Sequence, residues 1–450
     1  MAAIITNKFR FTQSSGFKNN FSTSNIYMAI AKASPWSSTD AAGATDNLPA
    51  SPIDSVSYEN ADFNQILTYK RILPEDTSFV IPTVNSNGNT VSGLWVQGAV
   101  YNMYDDLDTT GNFIYVMNDL YSVYKCIWNN NAGPSTQKPT SLVTSGTFTT
   151  ADNYVWKYMF TVPPADVGKF ITPLWIPVRA DGTATDQTAV QTAAVDGAVH
   201  VVKITSGGSG YGTTTGIPVT IASGDGTGFV ATATSSGGVI TSIVISNVGA
   251  NYTYLTLTIG GAGTGAVTRA IISPLGGHGS SAVKELSAFY VMINSIFAYG
   301  EGGIATTNND YRKILLIQDP LLLNGSSQAY PGAPIVSGLT VITFSNVSTP
   351  SGPYQIDEVV TGSTGGAPFA QGKVVDYDAT NKILRLTELT KPFTGGDTIT
   401  GLTSSASGTT PVITPKVLKD KTGSIIYKDY RRPITRSLDQ RESLFAIVEF

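Results

Sequence analysis

The 450-residue sequence is poor in cysteine, histidine and charge. Cys126 is the only cysteine, so no intrachain disulfide can form, and a reducing compartment is the expected place of folding. It lies in the apolar run Val123-Tyr124-Lys125-Cys126-Ile127-Trp128, where a small buried hydrophobe is expected rather than a nucleophile. Charged residues make up 13 % of the chain, against roughly 25 % in an average globular protein. Net charge is −4 and no Lys/Arg block occurs. The footprint that draws a protein to nucleic acid is therefore missing, and no nucleic-acid partner is expected. No stretch approaches the roughly 20 apolar residues of a membrane helix, so membrane insertion is not expected. At Met1–Arg10 the apolar patch precedes Lys8 and Arg10, the reverse of a signal peptide. Without such a signal, the Asn-x-Ser/Thr triplets at Asn20, Asn251, Asn324 and Asn346 read as chance matches.

Catalytic and metal patterns are equally scarce. His200 belongs to a Val-rich strand, and His278 sits in the turn Gly276-Gly277-His278-Gly279. Zinc needs several convergent His, Cys or carboxylate ligands, and two isolated histidines do not supply them. Asp105, Asp106 and Asp108 before Gly111 resemble the start of a calcium loop. Counted from Asp106, however, the twelfth position is Met117 where a bidentate Glu is required, so a solvated acidic turn is expected. The runs Gly208–Gly212, Gly224–Gly228 and Gly261–Gly265 lack the Gly-Lys-Ser/Thr ending of a phosphate loop and open no helix. Positive-φ turns between strands are their expected role. Asp357-Glu358 is an acidic pair, but nothing in the sequence aims both at one pocket, as glycosidase chemistry requires. No catalytic, cofactor-binding or metal-binding residue is assigned, and no enzyme activity is expected.

What the chain does have is Gly, Ser, Thr, Asn and Tyr, a composition that favours strands and tight turns. The fold class expected is mainly β with minor α, multi-domain, as a β-sandwich-like framework with two inserted β-domains. Residues 1–92 form the N-terminal framework. A short helix is expected within Phe9–Phe21, a strand over Asn25–Lys32, and a helix over Pro52–Lys70, where Val56, Phe63, Ile66 and Leu67 share one face. Residues 93–182 hold a second β-rich unit, with strands at Trp95-Val96, Phe113–Met117, Tyr121–Trp128, Tyr154–Val162 and Trp175–Val178.

Residues 183–275 form the first insertion, a Gly-rich duplication. Val201–Thr205 leads to Gly210-Tyr211 and then Gly226-Thr227-Gly228. Ser242–Ser246 leads to Asn251-Tyr252 and then Gly263-Thr264-Gly265. Each copy reads strand, turn, strand, Gly turn, strand, and two copies suggest a small duplicated β-domain rather than a long solenoid. Residues 276–334 return to framework strands at Phe289–Phe297 and Ile314–Ile317. Residues 335–412 form the second β insertion, with a hairpin in 371–389 turning at Asp378-Ala379-Thr380-Asn381. Residues 413–450 close the framework on the strand Leu444–Val448.

Four segments, in order, resemble the baseplate wedge protein family called gene product eight in T-even-type contractile-tail bacteriophages. They are Ser24–Trp36 (Ser-Asn-Ile-Tyr-Met-Ala-Ile-Ala-Lys-Ala-Ser-Pro-Trp), Asp152–Pro164 (Asp-Asn-Tyr-Val-Trp-Lys-Tyr-Met-Phe-Thr-Val-Pro-Pro), Tyr311–Pro320 (Tyr-Arg-Lys-Ile-Leu-Leu-Ile-Gln-Asp-Pro) and Ile426–Gln440. The resemblance covers 1–182, 276–330 and 413–450, and leaves the two insertions outside it. It implies a dimeric, β-rich structural protein without catalytic residues. Its place would be the tail baseplate of the virion, after synthesis in the host cytoplasm, and its partners other wedge proteins. Within these motifs Trp36, Trp156, Tyr158 and Phe160 are expected in the core, and Arg431, Arg432 and Arg436 at salt bridges or interfaces. A second expectation attaches to the insertions: exposed Tyr211 and Tyr252 could stack on host-surface glycan.

Overall fold

The computed structural model describes residues 5–32, 61–83, 93–108, 114–180, 182, 185–298, 301, 310–325, 335–364, 367–435 and 440–450. The fold is mainly β and divides into several separate sheets. Two compact units form, one from Met1–Ser15, Ser78–Met292 and Ile447–Phe450, the other from Gly16–Thr77 and Ile293–Ala446.

The second unit is built on a five-stranded sheet in the order Ile335–Ser337, Ile66–Arg71, Ile26–Ala31, Asp310–Gln318, Ser424–Thr435. All neighbours in it are antiparallel. Ile26–Ala31 is apolar throughout because both of its faces are covered. Ile26, Met28 and Ile30 pack with Phe21, Leu316 and Phe297, while Tyr27, Ala29 and Ala31 pack on the other side with Tyr69, Leu315 and Ile317. A strand buried on both faces reads as a continuous apolar run, not as an alternation. Residues 340–414 of the same unit supply a seven-stranded sheet. Its own core contains Ile342, Phe344, Val360, Leu384, Leu386 and Ile399. Its hairpin pairs Ala367–Asp378 with Ile383–Thr387, and Asp378 Oδ1 accepts the Thr380 and Asn381 N–H groups, each at 3.0 Å. That is the side-chain turn this residue type favours.

The helix expected over Pro52–Lys70 is corrected. Residues 51–60 lie outside the described residues, helix occupies 61–64 among the described residues, and Ile66–Arg71 is a strand. β-branched Ile66 and Thr68 with aromatic Tyr69 suit a strand, and pairing on both sides, to Ile26–Ala31 and Ile335–Ser337, overrides the helical spacing. Trp95-Val96 is not a strand either. The pairing residues are Gly93–Leu94, parallel to Tyr115–Met117. The Phe9–Phe21 helix is longer than expected, Asn7–Thr23. Tyr290–Ala298 is a strand, as its β-branched and aromatic content favours.

In the first unit a five-stranded sheet runs Gly93–Leu94, Tyr115–Met117, Ser122–Asn129, Tyr154–Thr161, Phe148–Thr149. Trp156, Tyr158 and Phe160 are buried in it. The duplicated region follows in the same unit, and its pairing is intertwined. Val199–Ser209 of the first copy pairs with Thr264–Ile272 of the second. Thr227–Ser236 of the first pairs with Val239–Ala250 of the second, and Thr214–Gly224 with Leu255–Ile259. Every strand of one copy therefore has a partner in the other, and neither copy closes a sheet alone. The tyrosines follow the same exchange. A Cβ at Gly263 would come within 2.6 Å of Tyr211 ring carbons, and one at Gly226 within 2.6 Å of Tyr252 ring carbons. Gly226 and Gly263 are thus needed for close approach, while Gly228 (φ +80°) and Gly265 (φ +79°) take left-handed backbone at the second residue of the strands that follow.

Candidate functional site

The apolar strand Ser122–Asn129 carries one charged side chain, Lys125, and the fold gives it a buried setting. Side chains alternate across a strand. Tyr124 and Cys126 enter the aromatic core beside Trp156 and Tyr158, and Lys125 meets the 276–285 segment. Its Nζ donates to Glu285 Oε2 at 2.7 Å and to His278 Nδ1 at 3.0 Å. The ammonium also lies 4.3 Å from the centre of the Tyr104 ring. Glu285 ends a short helix, Ala282–Glu285, capped by Ser281, whose side chain accepts from the Lys284 N–H. The other carboxylate oxygen of Glu285 accepts the N–H groups of Gly279 at 2.8 Å and Ser281 at 3.2 Å.

Burial acts against every charge here. It opposes ionisation of Glu285, but the Lys125 ammonium, by its charge and its hydrogen bond, outweighs it and holds the carboxyl down at about 2. Burial and then the Lys125 charge push His278 down to about 3, which leaves a neutral imidazole whose Nδ1 accepts from Lys125. His200, whose ring centre is 5.3 Å from that of His278, is pushed down to about 4 by burial and by Lys157 and Lys125. Burial lowers Lys157 to about 8, and its Nζ donates to the Thr144 carbonyl at 2.8 Å. Ammonium, carboxylate and imidazole thus saturate one another. Such an arrangement fixes the register of strand, turn and helix, since removing either ion would strand the other in the interior.

Tyr104, Lys125 and Glu285 also line a cavity of about 490 Å³, with Tyr115, Phe289, Tyr290, Arg10 and Lys284 among its other walls. That volume falls within the range of small-ligand sites.

The residues weighed from sequence are placed as follows. His200 is on a strand and His278 in a turn, but the fold joins them in one buried cluster. The acidic turn is exposed at Asp108 but paired at its start. Asp105 and Asp106 both pair with Arg269 of the strand Thr264–Ile272, and Asp106 also accepts the Ile272 N–H at 3.3 Å. Burial opposes ionisation of Asp105, yet the Leu107 N–H and Arg269 hold it below the usual carboxylate range. The turn therefore anchors the duplicated region. Cys126 is buried, and burial pushes its thiol well up. Asp357 and Glu358 diverge: Asp357 pairs with Lys32 and Lys373, while Glu358 accepts from Gln355, Thr403 and Ser404. Tyr211 and Tyr252 are 7 % and 2 % exposed, so neither is the open stacking platform expected. Close packing of each on a glycine of the other copy is the reason. Arg431 is exposed and pairs with Asp429. Trp36, Arg436 and the side chain of Arg432 lie outside the described residues.

Among the described residues, no group of three or more His, Cys, Asp or Glu could hold a metal ion. No protein-family model matches the chain, and no curated protein matches it. Sequence reasoning missed Lys125 and Glu285 as partners, 160 residues apart. The one signal was a lone lysine inside an apolar β run, because a buried ammonium demands an anion.

Proposed function

We propose that this chain is a structural component of a contractile-tail phage baseplate wedge and acts through protein–protein contacts as a dimer. The observation that carries the reading is where the resembling segments lie. Ser24–Trp36, Tyr311–Pro320 and Ile426–Gln440 are far apart in sequence, yet their strands are consecutive neighbours in one sheet: Ile26–Ala31, Asp310–Gln318, Ser424–Thr435. In register, Met28 faces Leu316 and Leu316 faces Tyr427. Two of these segments also meet Asp62 in a buried ion cluster. Lys313 donates to Asp62 at 2.6 Å and lies 5.1 Å from the Tyr430 ring centre, and Lys428 approaches Asp62 at 3.7 Å. Asp152–Pro164 supplies the strand Tyr154–Thr161 of the first unit's five-stranded sheet. The motifs are thus core-forming segments, as a framework shared within a structural family requires. Such a protein works through large obligate interfaces, on the order of 2,000 Å² or more.

Reconstitution tests the reading. Mixed with the other wedge proteins of its phage, the chain should co-elute in a stable complex and be found in purified virions. If it joins no wedge complex, the proposal fails.

A further inference from the structure

We propose that the 490 Å³ cavity of the first unit is a binding site for a carboxylate carried on an apolar body. Three observations converge on this chemistry. The first is the charge left over after internal pairing. Lys125 is matched by Glu285, and Asp105 by Arg269. Lys284, also on the wall, is exposed, with no ion pair among the described residues. Arg10 has only a loose contact, 3.6 Å to a Glu449 carboxylate that is itself 58 % exposed. Asp108, an exposed carboxylate, is on the same wall, and Arg10 and Lys284 are the two cations there outside the close ion pairs.

The second observation is the state of Arg10. Its Nε–H is buried and has no acceptor. A guanidinium presents Nε and a terminal nitrogen side by side, and that fork matches the two oxygens of a carboxylate. Arg10 lines the cavity, and its unfilled Nε is half of such a fork. The third is the apolar surround. Arg10 is stacked on Phe289, 4.8 Å from the ring centre, and Phe289 stacks on Tyr290 at 4.9 Å. The Phe289 ring lies against the guanidinium and gives it an apolar support. Tyr104 and Tyr115 add aromatic wall. A ligand that is only an anion would leave these rings wet, and one that is only apolar would leave Arg10 and Lys284 unmatched.

The inference stands apart from the baseplate reading. A free organic acid and an Asp or Glu side chain of a neighbouring protein share this chemistry. The test uses the intact chain with 3-phenylpropionate, its neutral isostere 3-phenylpropanamide, phenyl phosphate and the peptide acetyl-Phe-Glu-amide, each followed by saturation-transfer NMR and titration. The acid should bind at millimolar concentration or better, and the amide at least about tenfold more weakly. Arg10→Ala and Arg10→Lys should both lose about tenfold, because lysine keeps the charge and not the fork. Lys284→Ala should lose a few-fold. Circular dichroism and the melting curve of each variant establish that it is folded. A peptide that binds tighter than the acid points to a protein side chain, and the reverse to a small molecule; either supports the site. The proposal is overturned if no carboxylate binds at about 10 mM, if acid and amide bind alike, if folded Arg10→Lys binds as the wild type does, or if phenyl phosphate binds at least about tenfold tighter than the acid.

Discussion

The duplicated β region and the sheet around Lys125 belong to the same unit, and opposite kinds of contact order them. Between 199 and 272 there are few charges, and order comes from backbone approach: tyrosine rings seated on glycines of the other copy, and strands paired across the copies. Around Lys125 the fold instead places an ammonium, a carboxylate and two neutral imidazoles in the interior. Steric contacts of the first kind are short-ranged and indifferent to pH. Contacts of the second kind depend on protonation and are costly to leave half made. One unit can therefore fail in two distinguishable ways.

The largest expected effect comes from breaking the ion pair. Lys125→Ala leaves Glu285 buried without its cation and should destabilise the first unit by about 3–5 kcal/mol. The double replacement Lys125→Met with Glu285→Leu should recover most of that loss, since both ions are gone. Urea unfolding of the two variants checks this, and a single-variant loss under about 1 kcal/mol would show that the pair has no special weight.

The steric counterpart is Gly263→Ala. Its Cβ collides with the Tyr211 ring, for an expected loss of about 1–3 kcal/mol. Tyr211→Ala in the same background should relieve part of it, so the two changes should be non-additive in a double-mutant cycle. Additive losses would mean that ring and glycine do not share the contact.

The smallest effect per step is the one in pH. Unfolded histidines titrate near 6.5, whereas folded His200 and His278 are pushed down to about 4 and about 3. Between pH 6.5 and about 4 the unfolded chain binds more protons, so stability rises with pH. Each histidine should contribute a slope of about 1.4 kcal/mol per pH unit in that window. The slope disappears above 6.5. His278→Gln should remove its share, while the Gly263→Ala loss should be the same at pH 5 and pH 7. A pH-dependent Gly263→Ala loss would blur the distinction between the two regions.

How far the sequence carries a reader differs between these regions as well. The duplication is legible because a strand, a tyrosine turn and Gly-Thr-Gly recur in the same order, and each copy spells out its strands and turns. What the offsets do not reveal is that the copies interlock, because pairing partners are a property of space. Tyr211 and Tyr252 read as open aromatics for the same reason. The Lys125 cluster was opaque: His278, Glu285 and Lys125 are unremarkable singly, and only the fold makes them neighbours. Ile66–Arg71 shows the converse, a local helical spacing overruled by two strands that pair on either side.

By itself, the sequence determined the β-rich class, the strands of the apolar runs, the turns set by glycine and Asp378, and the burial of Cys126, Trp156, Tyr158 and Phe160. These follow from propensity and hydrophobic pattern, which act over a few residues. The tertiary structure alone decided which strands pair, which glycines admit a ring, where the buried charges find partners and that Arg10 meets Phe289 beside a cavity. Those facts depend on contacts between residues tens to hundreds of positions apart, and local sequence does not encode which distant residue will be the partner.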